Sequence, residues 1–120
     1  MILADTSVWI EHLRRGVPRL SVALERGEIA THPFVIGELA CGNLRNRARI
    51  LEALARLASS PVATDTEALG FLERRRLMGR GLGWVDIHLL AAVMLSPGMR
   101  LWTIDARLAD AAERIEVNFQ

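Results

Sequence analysis

Short apolar runs alternate with longer amphipathic segments along this chain. The runs at residues 1–4 and 101–104 are too brief for helices and predict buried strands. By contrast, residues 45–58 repeat apolar side chains at helical spacing, with Ile50, Leu54 and Leu57 on one stripe. Strands that alternate with helices predict an α/β domain built on a mainly parallel sheet.

Five strands are predicted, at residues 1–4, 29–32, 62–63, 101–104 and 115–117. Helices are predicted at residues 8–14, 33–41, 45–58, 85–95 and 105–113. Two further helices begin at Pro18 and at Thr64, where Thr64 and Glu67 have the spacing of a capping box.

Four acidic residues follow or interrupt these apolar segments: Asp5, Glu38, Asp86 and Asp105. Asp5 and Asp105 each come directly after a predicted strand, whereas Glu38 and Asp86 lie within apolar helices. A carboxylate removed from water costs several kcal/mol unless it is paired or binds a metal. A shared divalent cation is the simplest common explanation for the four placements.

The order of the elements can bring these remote acids together. The carboxyl ends of parallel strands share one rim, and ligands bind where the strand order reverses. If the order is 3-2-1-4-5, the reversal lies between the strands that carry Asp5 and Asp105. The helices bearing Glu38 and Asp86 can start at the same rim. Carboxylate oxygens suit Mg²⁺ or Mn²⁺, and such ions support phosphodiester hydrolysis by lowering the pKa of a bound water.

Each acid also has a simpler interpretation. Asp5 and Asp105 are suited to cap the helices that follow them, and Asp86 complements the dipole of its own helix. Glu38 can be a partly exposed helix residue. Capping and metal binding are compatible, so both interpretations stay open at this stage.

The charge of the chain is asymmetric. All 15 basic residues are arginine, and the net charge is +1. Without the four acids, the 15 arginines face ten acidic residues, which leaves +5 on the remainder. An arginine-bearing surface around an acidic pocket suits a polyanion, although a genomic bias toward arginine explains the residue choice equally well. The lack of lysine excludes a Walker A site and a lysine Schiff base.

The size and composition fit a single domain spanning residues 1–120, with 51% hydrophobic content to fill its core. The longest fully apolar run, residues 89–95, is too short to cross a bilayer, and the start lacks the basic region of a signal peptide. The only cysteine, Cys41, cannot form an internal disulfide and indicates a reducing compartment. We therefore expect a cytoplasmic protein with no membrane partner.

Four ordered motifs resemble a PIN domain, specifically the VapC-type toxin ribonucleases of type II toxin–antitoxin pairs. The motifs are MILADTSVWI around Asp5, IGEL around Glu38, GWVDIHLLA around Asp86 and LWTIDARL around Asp105. The resemblance covers nearly the full length and includes all four acids in the family's order.

The resemblance implies a PIN-like three-layer sandwich in which helices flank a five-stranded sheet of order 3-2-1-4-5. It also implies an endoribonuclease that depends on Mg²⁺ or Mn²⁺. By position, Asp5 and Asp86 are the expected direct metal ligands, with Glu38 and Asp105 binding directly or through water. Ser7 and Thr103 match supporting polar positions, which completes the expected site: Asp5, Ser7, Glu38, Asp86, Thr103 and Asp105.

The resemblance further implies three kinds of partner. The substrate is RNA, and the chain forms a homodimer or a toxin–antitoxin hetero-oligomer. A small antitoxin silences the enzyme by placing its tail in the acidic groove. The arginines that precede Asp86 in the chain are the candidates for RNA contact: Arg74, Arg75, Arg76 and Arg80.

Two other function classes compete with this interpretation. The first is an inactive PIN-like module that binds RNA or protein at the sheet rim. The second is a phosphatase of haloacid-dehalogenase type, because Asp5 follows a strand. That chemistry requires a second aspartate at the position of Ser7 and a lysine, and the chain has neither.

Overall fold

The computed structural model describes all 120 residues, Met1–Gln120. All seven predicted helices are present, and none is long and apolar enough to span a membrane. The elements follow in the order β1 (Ile2–Ala4), α1 (Thr6–Arg15), α2 (Pro18–Glu25), β2 (Ile29–Thr31), α3 (Pro33–Ala40), α4 (Arg47–Ala55), β3 (Ala58–Ser59), α5 (Asp65–Arg75), α6 (Trp84–Met94), β4 (Arg100–Trp102) and α7 (Ala106–Arg114).

The four strands form one parallel sheet in the order β3-β2-β1-β4. In its centre, Leu3 of β1 is in register with Ala30 of β2 on one side and Leu101 of β4 on the other. The strand order therefore reverses between β1 and β4, as predicted. The α/β architecture, with a parallel sheet flanked by helices, is confirmed.

The third strand lies at Ala58–Ser59, and the prediction of residues 62–63 is wrong. Helix α4 ends at Ala55, earlier than predicted, and a tight turn follows it. Ala58, which was predicted to end the helix, and Ser59 instead pair with β2. The Ser60 amide donates to the Thr31 carbonyl, and the strand ends before Val62. Val62 is consequently exposed.

The predicted fifth strand at residues 115–117 is also wrong. Glu116 has a φ of 60°, and this left-handed conformation interrupts an extended backbone. Beyond it, the segment's backbone hydrogen-bonds to β4 only at Leu101, whose N–H donates to the Val117 carbonyl and whose carbonyl accepts from the Phe119 N–H. The chain end thus runs beside β4 as a single parallel bridge, and the sheet has four strands instead of five.

Helix α6 is the most deeply buried helix. Its residues 87–93 are all buried, as its uninterrupted apolar sequence predicts. The helix contacts both α5 and β4. Burial on all sides holds α6 in place relative to the sheet, so the position of its first turn, which carries Asp86, is determined by the core.

Two histidines, His32 and His88, are buried in this core. The side chain of His32 is fully buried at the start of α3, where its Nδ1 accepts a hydrogen bond from the Phe34 amide. Its Nε2 has no hydrogen-bond partner. Burial, assisted by the nearby His88, lowers the pKa of His32 to about 4. His32 is therefore neutral at physiological pH.

This buried imidazole makes the fold sensitive to acid. In the unfolded chain His32 titrates near 6.5, so protons favour the unfolded state as the pH falls from about 6.5 toward 4. We expect this residue to remove up to about 3 kcal/mol of the free energy of unfolding over that range. His32→Asn retains a helix-capping acceptor and should flatten the pH dependence measured by urea denaturation. An unchanged slope in the variant would assign the acid sensitivity to other groups.

Candidate active site

The site begins where β1 and β4 end side by side. The Asp5 amide donates to the Trp102 carbonyl at 3.0 Å, which joins the ends of the two strands. Asp5 is 5% exposed, and it follows the three buried residues of β1. The reversal of strand order thus places a buried carboxylate at the rim of the sheet.

Asp5 is held by a dense set of hydrogen bonds. Its Oδ1 accepts from the Ser7 hydroxyl at 2.6 Å and from the Val8 amide at 3.1 Å, which caps α1. Its Oδ2 accepts from the Thr103 hydroxyl. Both predicted supporting residues, Ser7 and Thr103, therefore contact the carboxylate that they are predicted to support. The two interpretations of Asp5, as a helix cap and as a site residue, are compatible in one geometry.

Asp105 reaches the same rim from β4. Its Oδ1 accepts from the amides of Arg107 and Leu108 and so caps α7. Its own amide donates to the Thr103 hydroxyl at 3.0 Å, which links it to the group around Asp5. The second carboxylate oxygen, Oδ2, makes no hydrogen bond and is available to a ligand.

Asp86 lies in the first turn of α6, as predicted. Its Oδ2 accepts from the Gly83 amide at 2.9 Å, which closes the turn that begins the helix. Burial raises the pKa of Asp86, and the charges of Asp105, Asp5 and Glu38 raise it further. The charges of these three acids, remote in sequence, therefore act on Asp86 at the same rim.

Glu38 completes the set from α3. Its side chain is exposed, and its Oε1 accepts from the Thr6 hydroxyl at 2.5 Å. Thr6 directly follows Asp5, so this bond connects α3 to the end of β1. The sequence interpretation did not single out Thr6, although its position between two site residues is a signal that it lies at the rim.

No basic side chain balances the negative charge of the four acids. None of the four acids forms a salt bridge with an arginine or histidine. Burial also raises the pKa of Asp5, despite the opposing hydrogen bonds from Ser7, Thr103 and the Val8 amide. Ionising Asp5 and Asp86 together is therefore unfavourable unless a positive ligand is bound.

The donor set fits a hard divalent cation held partly by water. No three His, Cys, Asp or Glu side chains are grouped closely enough to bind one ion on their own. Mg²⁺, however, commonly binds to one or two carboxylates and keeps several waters. Free carboxylate oxygens on Asp86 and Asp105, beside the buried Asp5, provide such donors.

Comparison with known proteins agrees with this geometry. The family model described as "PIN domain" matches residues 2–114. The chain is also 53% identical over 111 residues to the protein named Ribonuclease VapC32, in Mycobacterium tuberculosis strain CDC 1551 / Oshkosh and strain ATCC 25618 / H37Rv. The match covers 92% of this chain and 90% of each relative.

The chain belongs to the PIN-domain family. The resemblance to VapC-type members, stated above from the motifs, is confirmed.

The arginines predicted to contact RNA lie outside the acidic centre of this PIN domain. Arg74 and Arg75 occupy the last turn of α5, and Arg76 caps its end. Arg80 donates to the Arg76 carbonyl in the following loop. All four are exposed, and none hydrogen-bonds or ion-pairs with one of the acids. Their contact with RNA stays a prediction.

A groove of about 820 Å³ adjoins the acids on the side of α3. It runs between α1, α3 and the start of α4, and Glu38 is one of its lining residues. Arg14 and Arg45 supply positive charge to its walls. Its apolar lining comes from Ile10, Leu13, Leu39, Leu44 and Ile50. Ile10 is 44% exposed and Leu13 is 36% exposed, so the groove presents an uncovered apolar surface.

Proposed function

We propose that this PIN domain, spanning residues 1–120, is a metal-dependent endoribonuclease and the toxin of a type II toxin–antitoxin pair. One observation carries the proposal: Asp5 is buried at the reversal point of the sheet, the charges of Asp5, Glu38 and Asp105 act on Asp86, and no basic side chain pairs with any of the four. The name of the relatives, Ribonuclease VapC32, supports RNA as the substrate. The choice of RNA over DNA rests on that relationship.

The resident cofactor is Mg²⁺ or Mn²⁺. In this proposal Asp5 and Asp86 bind the ion directly, whereas Glu38 and Asp105 bind it directly or through water. When bound, such an ion lowers the pKa of its water and neutralises charge on a phosphate. Without it, like charges would repel the RNA backbone from the same rim.

The remaining residues orient the carboxylates. Ser7 and Thr103 donate to opposite oxygens of Asp5, so the plane of its carboxylate is fixed before any ligand arrives. The Gly83 amide holds one oxygen of Asp86 and leaves the other free. Preorganisation of this kind lowers the cost of assembling a charged site. On the outer surface, contacts to the RNA backbone are assigned to Arg74, Arg75, Arg76 and Arg80.

A cleavage assay tests the proposal. Purified protein should cut RNA when Mg²⁺ or Mn²⁺ is present and stop when EDTA removes the ion. Expression of the chain alone should arrest bacterial growth. RNA binding without metal dependence and without cleavage would instead indicate an inactive PIN-like binding module. Cleavage that persists in EDTA would indicate a contaminating nuclease.

The groove beside Glu38 is assigned to the antitoxin. Its apolar lining suits the nonpolar face of a short segment, and Glu38 at its wall connects that segment to the acidic centre. Occupation by an antitoxin tail would block the approach of RNA. The free toxin is proposed to be a homodimer and the silenced form a hetero-oligomer.

Leu13→Glu should separate inhibition from catalysis. The substitution replaces an apolar contact in the groove with a carboxylate that must lose water on binding, so binding of the protein encoded beside this gene should weaken at least about tenfold. Titration calorimetry measures the affinity, and co-expression measures whether growth is rescued. Leu69→Glu is the matched control, because Leu69 is exposed on α5 outside the groove. Equal affinity of both variants would place the antitoxin elsewhere.

A further inference from the structure

An arginine lies across the glycine-rich loop before α6. A Cβ added to Gly81 would stand 2.7 Å from both Cδ and Nη1 of Arg107, and 3.1 Å from its Cζ. Gly81 also has a φ of 77°, which side-chain-bearing residues rarely adopt. The backbone conformation therefore favours glycine, and a side chain at this position would also displace the end of the Arg107 side chain.

This contact joins the two elements that carry Asp86 and Asp105. Arg107 is the second residue of α7, and its amide donates to the Asp105 carboxylate at 3.0 Å. The loop beneath its side chain ends at Gly83, whose amide holds Asp86. A helical side chain points back toward the start of its helix, here toward Asp105. Arg107 thus lies next to Asp105 in the chain, and its side chain lies against the loop that leads to Asp86.

The charge of Arg107 is not used within the protein. Its guanidinium forms no ion pair and donates no hydrogen bond, although the side chain is packed against the loop. The charges that act on the pKa of Asp86 are all carboxylates, so Arg107 does not neutralise that acid. On the same helix, Arg114 is instead paired with Asp110. An unpaired guanidinium beside a metal-binding rim is suited to a phosphate, which it can bind through two parallel hydrogen bonds.

We propose that Arg107 binds a backbone phosphate of the RNA next to the metal centre, and that the lack of a side chain at Gly81 leaves room for the Arg107 side chain in that position. The inference rests on the proposed function and assigns a substrate-binding residue outside the predicted arginine cluster at residues 74–80. It differs from a purely structural role in one measurable respect. A phosphate contact contributes to the salt dependence of RNA binding, whereas a packing contact does not.

The first experiment measures the affinity for a short, hydrolysis-resistant single-stranded RNA against salt concentration, in Mg²⁺ so that the acidic rim is neutralised. Arg107→Ala should bind about tenfold more weakly than the wild type, because a charge-assisted hydrogen bond is lost. The slope of log Kd against log salt should fall in magnitude by about 0.7, the value for one phosphate contact on a single strand. Arg107→Lys should keep most of the slope.

Arg114→Ala is the matched control, since it removes the same charge from the same helix. Its affinity and salt slope should remain close to those of the wild type. The inference is overturned if Arg107→Ala behaves like this control, or if it weakens binding with no change in slope.

A pair of glycine variants supplies a second test. Gly79 and Gly81 both have positive φ, at 73° and 77°, but only a side chain at Gly81 would collide with Arg107. Gly79→Ala and Gly81→Ala should both lower the melting temperature, because both strain the backbone. Only Gly81→Ala should weaken RNA binding, and it should add little when combined with Arg107→Ala. Equal weakening by the two glycine variants would contradict the inference.

Failure of this inference is distinguishable from failure of the proposed function. If the wild type cleaves RNA in Mg²⁺ while Arg107→Ala matches Arg114→Ala in binding, the nuclease assignment stands and the role of Arg107 is wrong. If the folded wild type neither binds nor cleaves RNA with either metal, the proposed function fails, and this inference fails with it.

Discussion

Asp86→Asn should lower metal-dependent RNA cleavage by about a thousandfold or more, while the protein stays folded. The side chain of asparagine keeps an oxygen that can accept the hydrogen bond from the Gly83 backbone amide, so the start of α6 should be preserved. The substitution removes the negative charge that the proposed metal site requires. Activity should fall while the circular dichroism spectrum remains that of the wild type.

The same substitution should stabilise the protein when no metal is present. The pKa of Asp86 is raised in the fold, first by burial and then by the three other acids. The folded state therefore keeps this proton to a higher pH than the unfolded chain does. The free energy of unfolding falls as the pH rises from about 3.9 through the pKa of Asp86 in the folded state. Above that pKa, the full cost of ionising Asp86 in the fold is present. Asparagine removes the penalty, so the variant in EDTA should melt above the wild type at neutral pH.

Asp110→Asn provides the control for both measurements. It removes one carboxylate from the exposed side of α7, where Asp110 pairs with Arg114. Its cleavage rate should stay near that of the wild type. If Asp86→Asn retains full activity, the acidic rim is not the catalytic centre. If it loses activity but melts below the wild type in EDTA, the charge of Asp86 does not destabilise the fold through burial and repulsion.

Magnesium should raise the melting temperature of the wild type by about 10 °C when its concentration is a hundred times its dissociation constant. Ligand binding at that ratio adds about 2.7 kcal/mol to the free energy of unfolding, and each kcal/mol shifts the midpoint by about 4 °C in a domain of this size. The physical reason is that the cation relieves repulsion among carboxylates that have no other positive partner.

The response to magnesium should depend on the same residues as the activity. Asp5→Asn and Asp86→Asn should lose most of the increase, whereas Asp110→Asn should keep it. The increase should also shrink in acid, because the raised pKa values of Asp5 and Asp86 mean that protons compete with the metal. A shift of full size in both site variants would show that the ion binds elsewhere, and no shift in the wild type would remove the metal site from the proposal.

The candidate site was largely predictable because its residues are anchored at the ends of local elements. An apolar run of four residues followed by Asp5 predicts a strand and a helix cap, and both are confirmed. The same holds for Asp105 after β4 and for Asp86 in the first turn of α6. These signals are local, since burial pattern and capping depend on residues close together in the chain.

The edges of the sheet were less predictable. The third strand consists of two exposed residues, Ala58 and Ser59, which have no apolar pattern to reveal them. Their pairing depends on where α4 ends and on the backbone hydrogen-bonding groups of the neighbouring strand β2. The prediction of a fifth strand was wrong because one residue, Glu116, has a left-handed backbone conformation in a sequence that otherwise favours a strand. Edge strands depend on their neighbours more than on their own sequence.

The sequence by itself determined that this protein is an α/β domain with four acids at the ends or first turns of apolar elements, because periodicity and capping are local properties. Only the tertiary structure decided that Thr6 bonds Glu38, that His32 is buried and that Arg107 crosses Gly81. These contacts join residues 26 to 32 positions apart, or depend on complete enclosure by the core. They exist only after the helices pack against the sheet, because the position of one helix relative to another is determined by the whole core.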